Sequence, residues 1–280
     1  MKIQITTLVE NTAGGGCLAE HGLSVLLEAD GKKILMDTGA GACILRNAQL
    51  RGVDLSAVDK IVISHGHYDH TGGLRDVLQV MHREVEVIAH PDMWAFKYGK
   101  RENSEPRYAG IPFNREGLES LGARFTLERE PVRITEHVMT TGEVPMVTGY
   151  EQVEGNLVVK EGNEFHPDPL ADDLALVVDA DFGLVVILGC AHRGIVNTLR
   201  HVRNITGKKE IYAAIGGTHL IRASEERIAR TAADLKEMGV KKLGVSHCTG
   251  FYASAKLAQE FGDAFFLNNA GNHLTFPMSE

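Results

Sequence analysis

Between Ser64 and Gly73 the sequence reads SHGHYDHTGG, and six consecutive residues of it, His65 to His70, carry three imidazoles and one carboxylate. Imidazole nitrogen and carboxylate oxygen are donors that zinc and similar divalent ions prefer. Alternate residues of an extended loop, His65 and His67, can turn both rings toward one ion, while Asp69 and His70 offer a second pair to a neighbouring position. A lone histidine among the thirteen of this chain is ordinarily a hydrogen-bonded structural residue, and that default is kept for His21, His82, His90, His137, His201 and His273. The cluster is too dense for it. It reads as half of a two-metal centre.

The elements around the cluster explain how it is presented. Residues 60–64 (KIVIS) form a short apolar strand that ends where the histidines begin, and Leu74, Val77, Leu78 and Met81 then recur at helical spacing. The cluster is therefore a loop from strand to helix, where α/β folds build their sites. Upstream, 2–9, 23–28 and 33–36 read as strands, with Asp30-Gly31 as a hairpin turn and a helix expected over 43–50. Downstream, 174–178 and 184–188 form a hairpin, and three strand-turn-helix units follow with the turns GCAHRG, GGTHL and SHCTG. His192, His219 and His247 lie in those turns and are expected along one edge of a sheet. The stretch 91–130 is less regular and reads as an excursion or lid.

Composition bounds the function. The chain has 280 residues, 44% hydrophobic and 24% charged, the profile of a soluble globular protein. No apolar run approaches the roughly eighteen residues that span a bilayer, and no signal-peptide core opens the chain, so a cytoplasmic location is expected. The four cysteines, Cys17, Cys43, Cys190 and Cys248, form no CxxC pair, which gives neither a disulfide framework nor a zinc knuckle. A net charge of -8 argues against a general nucleic-acid binder.

The HxHxDH pattern of His65, His67, Asp69 and His70 resembles the hallmark of the metallo-β-lactamase superfamily. LMDTG, with Asp37, resembles its first motif, and VSHCTG, with His247, its last. The likeness covers most of the chain and implies an α/β fold: one αββα sandwich of two mixed β-sheets flanked by helices, spanning 1–280. It implies two divalent metal ions, Zn2+ first and Mn2+ or Fe as substitutes, with His65 and His67 on the first and Asp69, His70 and His247 on the second. Asp37 would be an acceptor that orients a metal-bound histidine, and Asp69 would also orient the attacking water. One departure stands out: where a typical member has a metal-bridging aspartate, this chain reads ILGCAHRG. Either His192 completes the first metal's ligands, the preferred reading, or Cys190 bridges as a thiolate while His166 or Asp172 fills the other place. His219 is open between the site and a core hydrogen bond.

The function expected is metal-dependent hydrolysis. Two ions about 3.5 to 4 Å apart acidify a bridging water and polarise a phosphoryl or carbonyl oxygen. A small, anionic, phosphorylated substrate is expected. Lys97, Lys100, Arg101, Arg107 and Arg115 alternate in the middle segment with Trp94, Phe96, Tyr98, Tyr108 and Phe113, and helix N-termini after the three histidine turns offer backbone N–H donors. No nucleic-acid or membrane partner is expected. The full motif set looks closest to a subgroup that includes an archaeal synthase, so the alternative is a transferase joining a pterin pyrophosphate to a ribofuranosylaminobenzene phosphate. A redox iron protein and a non-catalytic metal-binding module stand behind these.

Overall fold

The computed structural model describes residues 1–100 and 102–278; Arg101, counted above among the basic residues of the middle segment, lies outside them. Two mixed sheets form the centre. The first has seven strands in the order His273–Phe276, Ile3–Val9, Ser24–Ala29, Lys32–Met36, Lys60–Val62, Val85–Ala89 and Ala123–Leu127. The first three pairings are antiparallel and the last three parallel. The second has six, in the order Phe265–Leu267, Lys242–Ser246, Ile211–Gly217, Gly183–Leu188, Ala175–Ala180 and Val138–Thr140, parallel up to Gly183–Leu188 and antiparallel beyond.

Alternation along the strands decides which face each residue meets. Val25 and Leu27 of the first sheet pack with Val185 and Ile187 of the second in a core shared by both sheets, whereas their neighbours turn outward. Leu26 and Leu35 lie under the helices Ile44–Leu50, Leu74–Met81 and Arg115–Ser120. Leu184, Val186 and Leu188 lie under Ile195–Thr206, Glu225–Glu237 and Phe251–Phe261. Strands buried on both faces read as continuous apolar runs, as LVVIL does. The layers are helices, sheet, sheet, helices: an αββα sandwich.

The middle segment does two things. Ala123–Leu127 joins the first sheet beside Val85–Ala89, while Lys97–Gly99 and Arg107–Tyr108 pair into a small antiparallel sheet with the hairpin Leu157–Glu161 and Glu164–Pro167. This small sheet touches the histidine loop: Tyr68 N–H donates to Ala109 O at 2.9 Å, and His67 bridges to Gly110. The aromatics largely pack on their own surroundings. Trp94 stands edge-on to Phe125, and Tyr98 meets Tyr108 and Phe165. Among the described residues, no helix is long and apolar enough to cross a membrane.

Candidate metal centre

The site lies where both sheets present the carboxyl ends of their strands. The first sheet delivers the loop after Lys60–Val62, and the second delivers the turns after Gly183–Leu188, Ile211–Gly217 and Lys242–Ser246. Two donor sets share Cys190: His65, Cys190 and His192 in one, His70, Cys190 and His247 in the other, with the ligating atoms of each set within 4.8 Å of one another. Asp69 groups with His247 and His21 on the same terms. His67 joins from the loop, its Nδ1 at 2.9 Å from His65 Nε2, and His192 Nε2 is 3.3 Å from the same atom. Nitrogen ligands on one tetrahedral zinc ion sit about 3.3 Å apart for Zn–N bonds near 2.0 Å, so these spacings suit a common ion.

Three of the histidines, His65, His70 and His247, are aimed by what the other ring nitrogen does. His70 Nδ1 donates to Asp37 Oδ2 at 2.6 Å, leaving Nε2 at 3.2 Å from the Cys190 sulfur. His247 Nδ1 donates to Asn11 Oδ1 at 2.7 Å, and its backbone N–H to Glu10 Oε1 at 2.6 Å. Its Nε2 then lies 3.2 Å from Asp69 Oδ2. His65 Nδ1 is 2.9 Å from Ser64 Oγ, and that hydroxyl donates to Asp37 Oδ2 at 2.7 Å. Such partners fix the tautomer that presents a lone pair to a metal.

Charge follows burial. His65 and His192 are held well below the ordinary histidine pKa, first by burial and then by neighbouring imidazoles, and burial takes His67 down to about 4. Near neutral pH these three rings are uncharged, as coordination requires. His70 is the exception. Burial opposes its charge, but Asp37 and Asp69 outweigh that and raise it to about 9. Burial would raise Asp69, yet hydrogen bonds from His21 and His247 hold it well below the usual carboxylate range. A second sign of function is backbone strain: Asp37, Ala191, His219 and His247 all have positive φ, at 60°, 50°, 46° and 52°. Left-handed non-glycine residues persist where the surroundings over-determine them and cluster at functional sites.

The loop is braced from below. Gly66 N–H donates to Asp172 Oδ2 at 2.8 Å. A Cβ at Gly66 would sit 2.2 Å from Met93 O, so only glycine allows this approach. Asp172 Oδ1 and Asp168 Oδ2 in turn bind Lys97 Nζ at 2.8 and 2.9 Å, all three side chains being buried.

The donor chemistry therefore fits divalent ions: imidazoles, one carboxylate and one thiol converge at the rim of two sheets. Of the residues singled out from the sequence, His65, His67, Asp69, His70, His192, His247, Cys190 and Asp37 come together. His219 stands beside them, its ring centroid 4.0 Å from that of His192. His166 is exposed on an outer strand next to Glu164, and Asp172 is committed to Gly66 and Lys97, so neither can complete a metal's ligands. Lys97 is a buried brace instead of a substrate contact, and Arg115 pairs with Glu119. The expected anion position at the start of Ile195–Thr206 is filled from within, by the Glu151 carboxylate on the N–H groups of Val196 and Asn197. His90 bonds Glu143 away from the site.

Sequence reasoning missed four residues. Exposed His21 reaches Asp69 Oδ2 at 3.2 Å; Cys248 gathers with Cys190 and His219; Glu10 and Asn11 hold His247. No motif marks His21. The adjacency of Cys248 to His247 was the one available signal for the thiol.

A profile of the Metallo-beta-lactamase superfamily matches residues 19–203. The chain is 34% identical to the 7,8-dihydropterin-6-methyl-4-(beta-D-ribofuranosyl)-aminobenzene-5'-phosphate synthase of Methanocaldococcus jannaschii, across 98% of this chain and 97% of that protein. It is also 34% identical to an uncharacterised protein of the same organism, across 91% and 94%. Among solved structures, a metal-dependent hydrolase of the β-lactamase superfamily superposes with a TM-score of 0.84 at 30% identity, covering 97% of this chain and 98% of that one.

Proposed function

The chain belongs to the metallo-β-lactamase superfamily, and from that premise we propose that it is a metal-dependent hydrolase acting on a small phosphorylated substrate. Two divalent ions, zinc before manganese or iron, would be held by His65, His67 and His192 on one side and Asp69, His70 and His247 on the other, with the Cys190 thiolate between them. When bound, such ions polarise a phosphoryl oxygen and make a coordinated water acidic. The protein's own groups supply the rest. Asp69 orients the attacking water, and His21, whose pKa is raised by its hydrogen bond to Asp69, gives a proton to the departing oxygen. Four free cysteines suit a reducing compartment such as the cytoplasm.

The observation that carries this reading is the convergence of both donor sets on Cys190, in the place where a bridging group is needed. Elemental analysis of protein purified without added metal tests it. Two ions per chain, falling in His192→Ala and in Cys190→Ser, together with metal-dependent turnover in a phosphomonoester and phosphodiester panel, are the expected results. Full metal content in both variants would overturn the ligand set.

A second reading is favoured by the whole-length likeness to a synthase. On that reading His65, His67, His192, Asp69, His70 and His247 would hold the same ions, whose charge would favour departure of pyrophosphate from a dihydropterin, and a ribofuranosylaminobenzene phosphate would be the acceptor. Incubating the loaded protein with a dihydropterin pyrophosphate, with and without the acceptor, separates the two. Pyrophosphate release that requires the acceptor identifies the synthase, and release without it identifies the hydrolase.

A further inference from the structure

Three adjacent parallel strands of the second sheet, Gly183–Leu188, Ile211–Gly217 and Lys242–Ser246, end in turns carrying Cys190, His219 and Cys248. Two of these residues, His219 and Cys248, belong to neither histidine donor set. We infer that Cys190, Cys248 and His219 form a thiolate-rich metal seat beside the histidine centre, one that takes a borderline or soft cation of the zinc, iron(II) or cadmium class.

Geometry supports it first. The two sulfurs and a ring nitrogen of His219 lie within 4.8 Å of one another. Two thiolates on a tetrahedral zinc ion stand about 3.8 Å apart for Zn–S bonds near 2.3 Å, so rotation of side chains closes the set without moving the strands. Soft sulfur donors favour zinc, iron(II) and cadmium over the harder manganese, which the imidazole and carboxylate set next door would also accept.

The state of the residues supports it independently. Both ring nitrogens of His219 are buried, and among the described residues neither has a hydrogen-bond partner; the nearest carboxylate, Glu154 Oε1, is 3.5 Å from Nε2. A buried polar atom left unpaired is costly and calls for an explanation, which a ligand in the seat supplies. The Cys248 sulfur accepts the backbone N–H of His219 at 3.3 Å, the kind of outer contact that supports a coordinated thiolate. Space has been kept for that sulfur, because a Cβ on Gly217 would lie 2.6 Å from it.

The seat shares only Cys190 with the histidine centre, so Cys248 and His219 test the seat by itself. The test uses the full-length chain, stripped of metal and titrated with 113Cd2+. In the wild type, a cadmium resonance shifted into the range of two sulfurs plus nitrogen and coupled to the β-protons of both Cys190 and Cys248 is the expected result. Resonances coupled to Cys190 alone would overturn the seat while leaving the histidine centre standing, and resonances coupled to no cysteine would overturn the seat and remove Cys190 from the histidine centre as well. Cys248→Ser and His219→Ala, checked for native circular dichroism, should each lose about one bound cadmium and part of the thiolate-to-cadmium ultraviolet absorption. His67→Ala should keep that doubly cysteine-coupled signal. Unchanged cadmium content and absorption in both seat variants would overturn the inference without any reference to activity.

Discussion

Asp37 and Asn11 perform one task from two places in the chain: each takes the Nδ1 proton of a histidine, His70 or His247, and thereby turns Nε2 toward the site. Losing such a partner typically weakens metal binding about 10- to 100-fold. Asp37→Ala is therefore expected to weaken metal affinity by that order in a chelator competition, with native circular dichroism retained; undiminished affinity would remove Asp37 from the site. Asp173 gives a pH prediction. Burial raises its pKa to about 7, above the 3.8 expected when unfolded, so the native state binds the extra proton. Stability contributed by this group is full below pH 4 and is lost as pH rises through about 7. In metal-stripped protein Asp173→Asn, which keeps an acceptor for Arg193 N–H, should gain on the wild type between pH 5 and 8. The gain is on the order of 1 to 4 kcal/mol at 1.36 kcal/mol per unit, read from urea unfolding. At this scale the sequence was legible wherever ligands cluster locally, as in His65 to His70. It was illegible where partners are distant. Lys97 looked like a surface cation because its carboxylates lie 71 and 75 residues away.

At the scale of elements, that lysine joins the small four-stranded sheet to the histidine loop, since Asp172 binds both Lys97 and Gly66 N–H. Breaking one partner of a buried ion pair leaves uncompensated charge and costs about 3 to 5 kcal/mol. Lys97→Met should lose that much in denaturant unfolding and should also weaken metal binding by loosening Gly66; a loss below about 0.5 kcal/mol would mean that Asp168 and Asp172 find other partners. The strand-turn-helix units were readable because their strands are long apolar runs and their helices keep strict periodicity, as in Leu74–Met81 and Ile195–Thr206. The small sheet was not. Its strands are two to five residues long, and Glu164–Pro167 is exposed throughout, so no alternation of burial marks it. Ala123–Leu127 escaped notice for a related reason: it lies at the sheet edge, only partly buried.

For the whole molecule, the donor sets straddle the sandwich. His65, His67, Asp69 and His70 come from the first sheet and Cys190, His192 and His247 from the second, so bound ions add a tie between two layers that already share an apolar core and hydrogen bonds such as Leu174 N–H to Ser64 O. A ligand that binds only the folded state stabilises it by about 2.7 kcal/mol at a hundredfold excess over Kd. Chelation should therefore lower the melting temperature by several degrees, and re-addition of zinc should restore it; an unchanged melting curve in metal-depleted protein would deny this tie. The layered architecture was legible because each half repeats one rhythm of strand, histidine turn and helix. The pairing of the two halves across one shared core came from the motif likeness, since periodicity places residues on a face without saying which face it meets.

The strand His273–Phe276 lies on the outer side of Ile3–Val9, within the first sheet, although the residues just before it belong to the second. In terms of synthesis, the first sheet acquires its flanking strand only after every other strand of both sheets has been made. Until then Ile3–Val9, nearly all buried in the finished protein, offers an unpaired apolar edge of the kind that recruits other chains. The early half of the molecule, including the loop with its four metal donors, thus waits on the late half both for its covering strand and for the donors Cys190, His192 and His247.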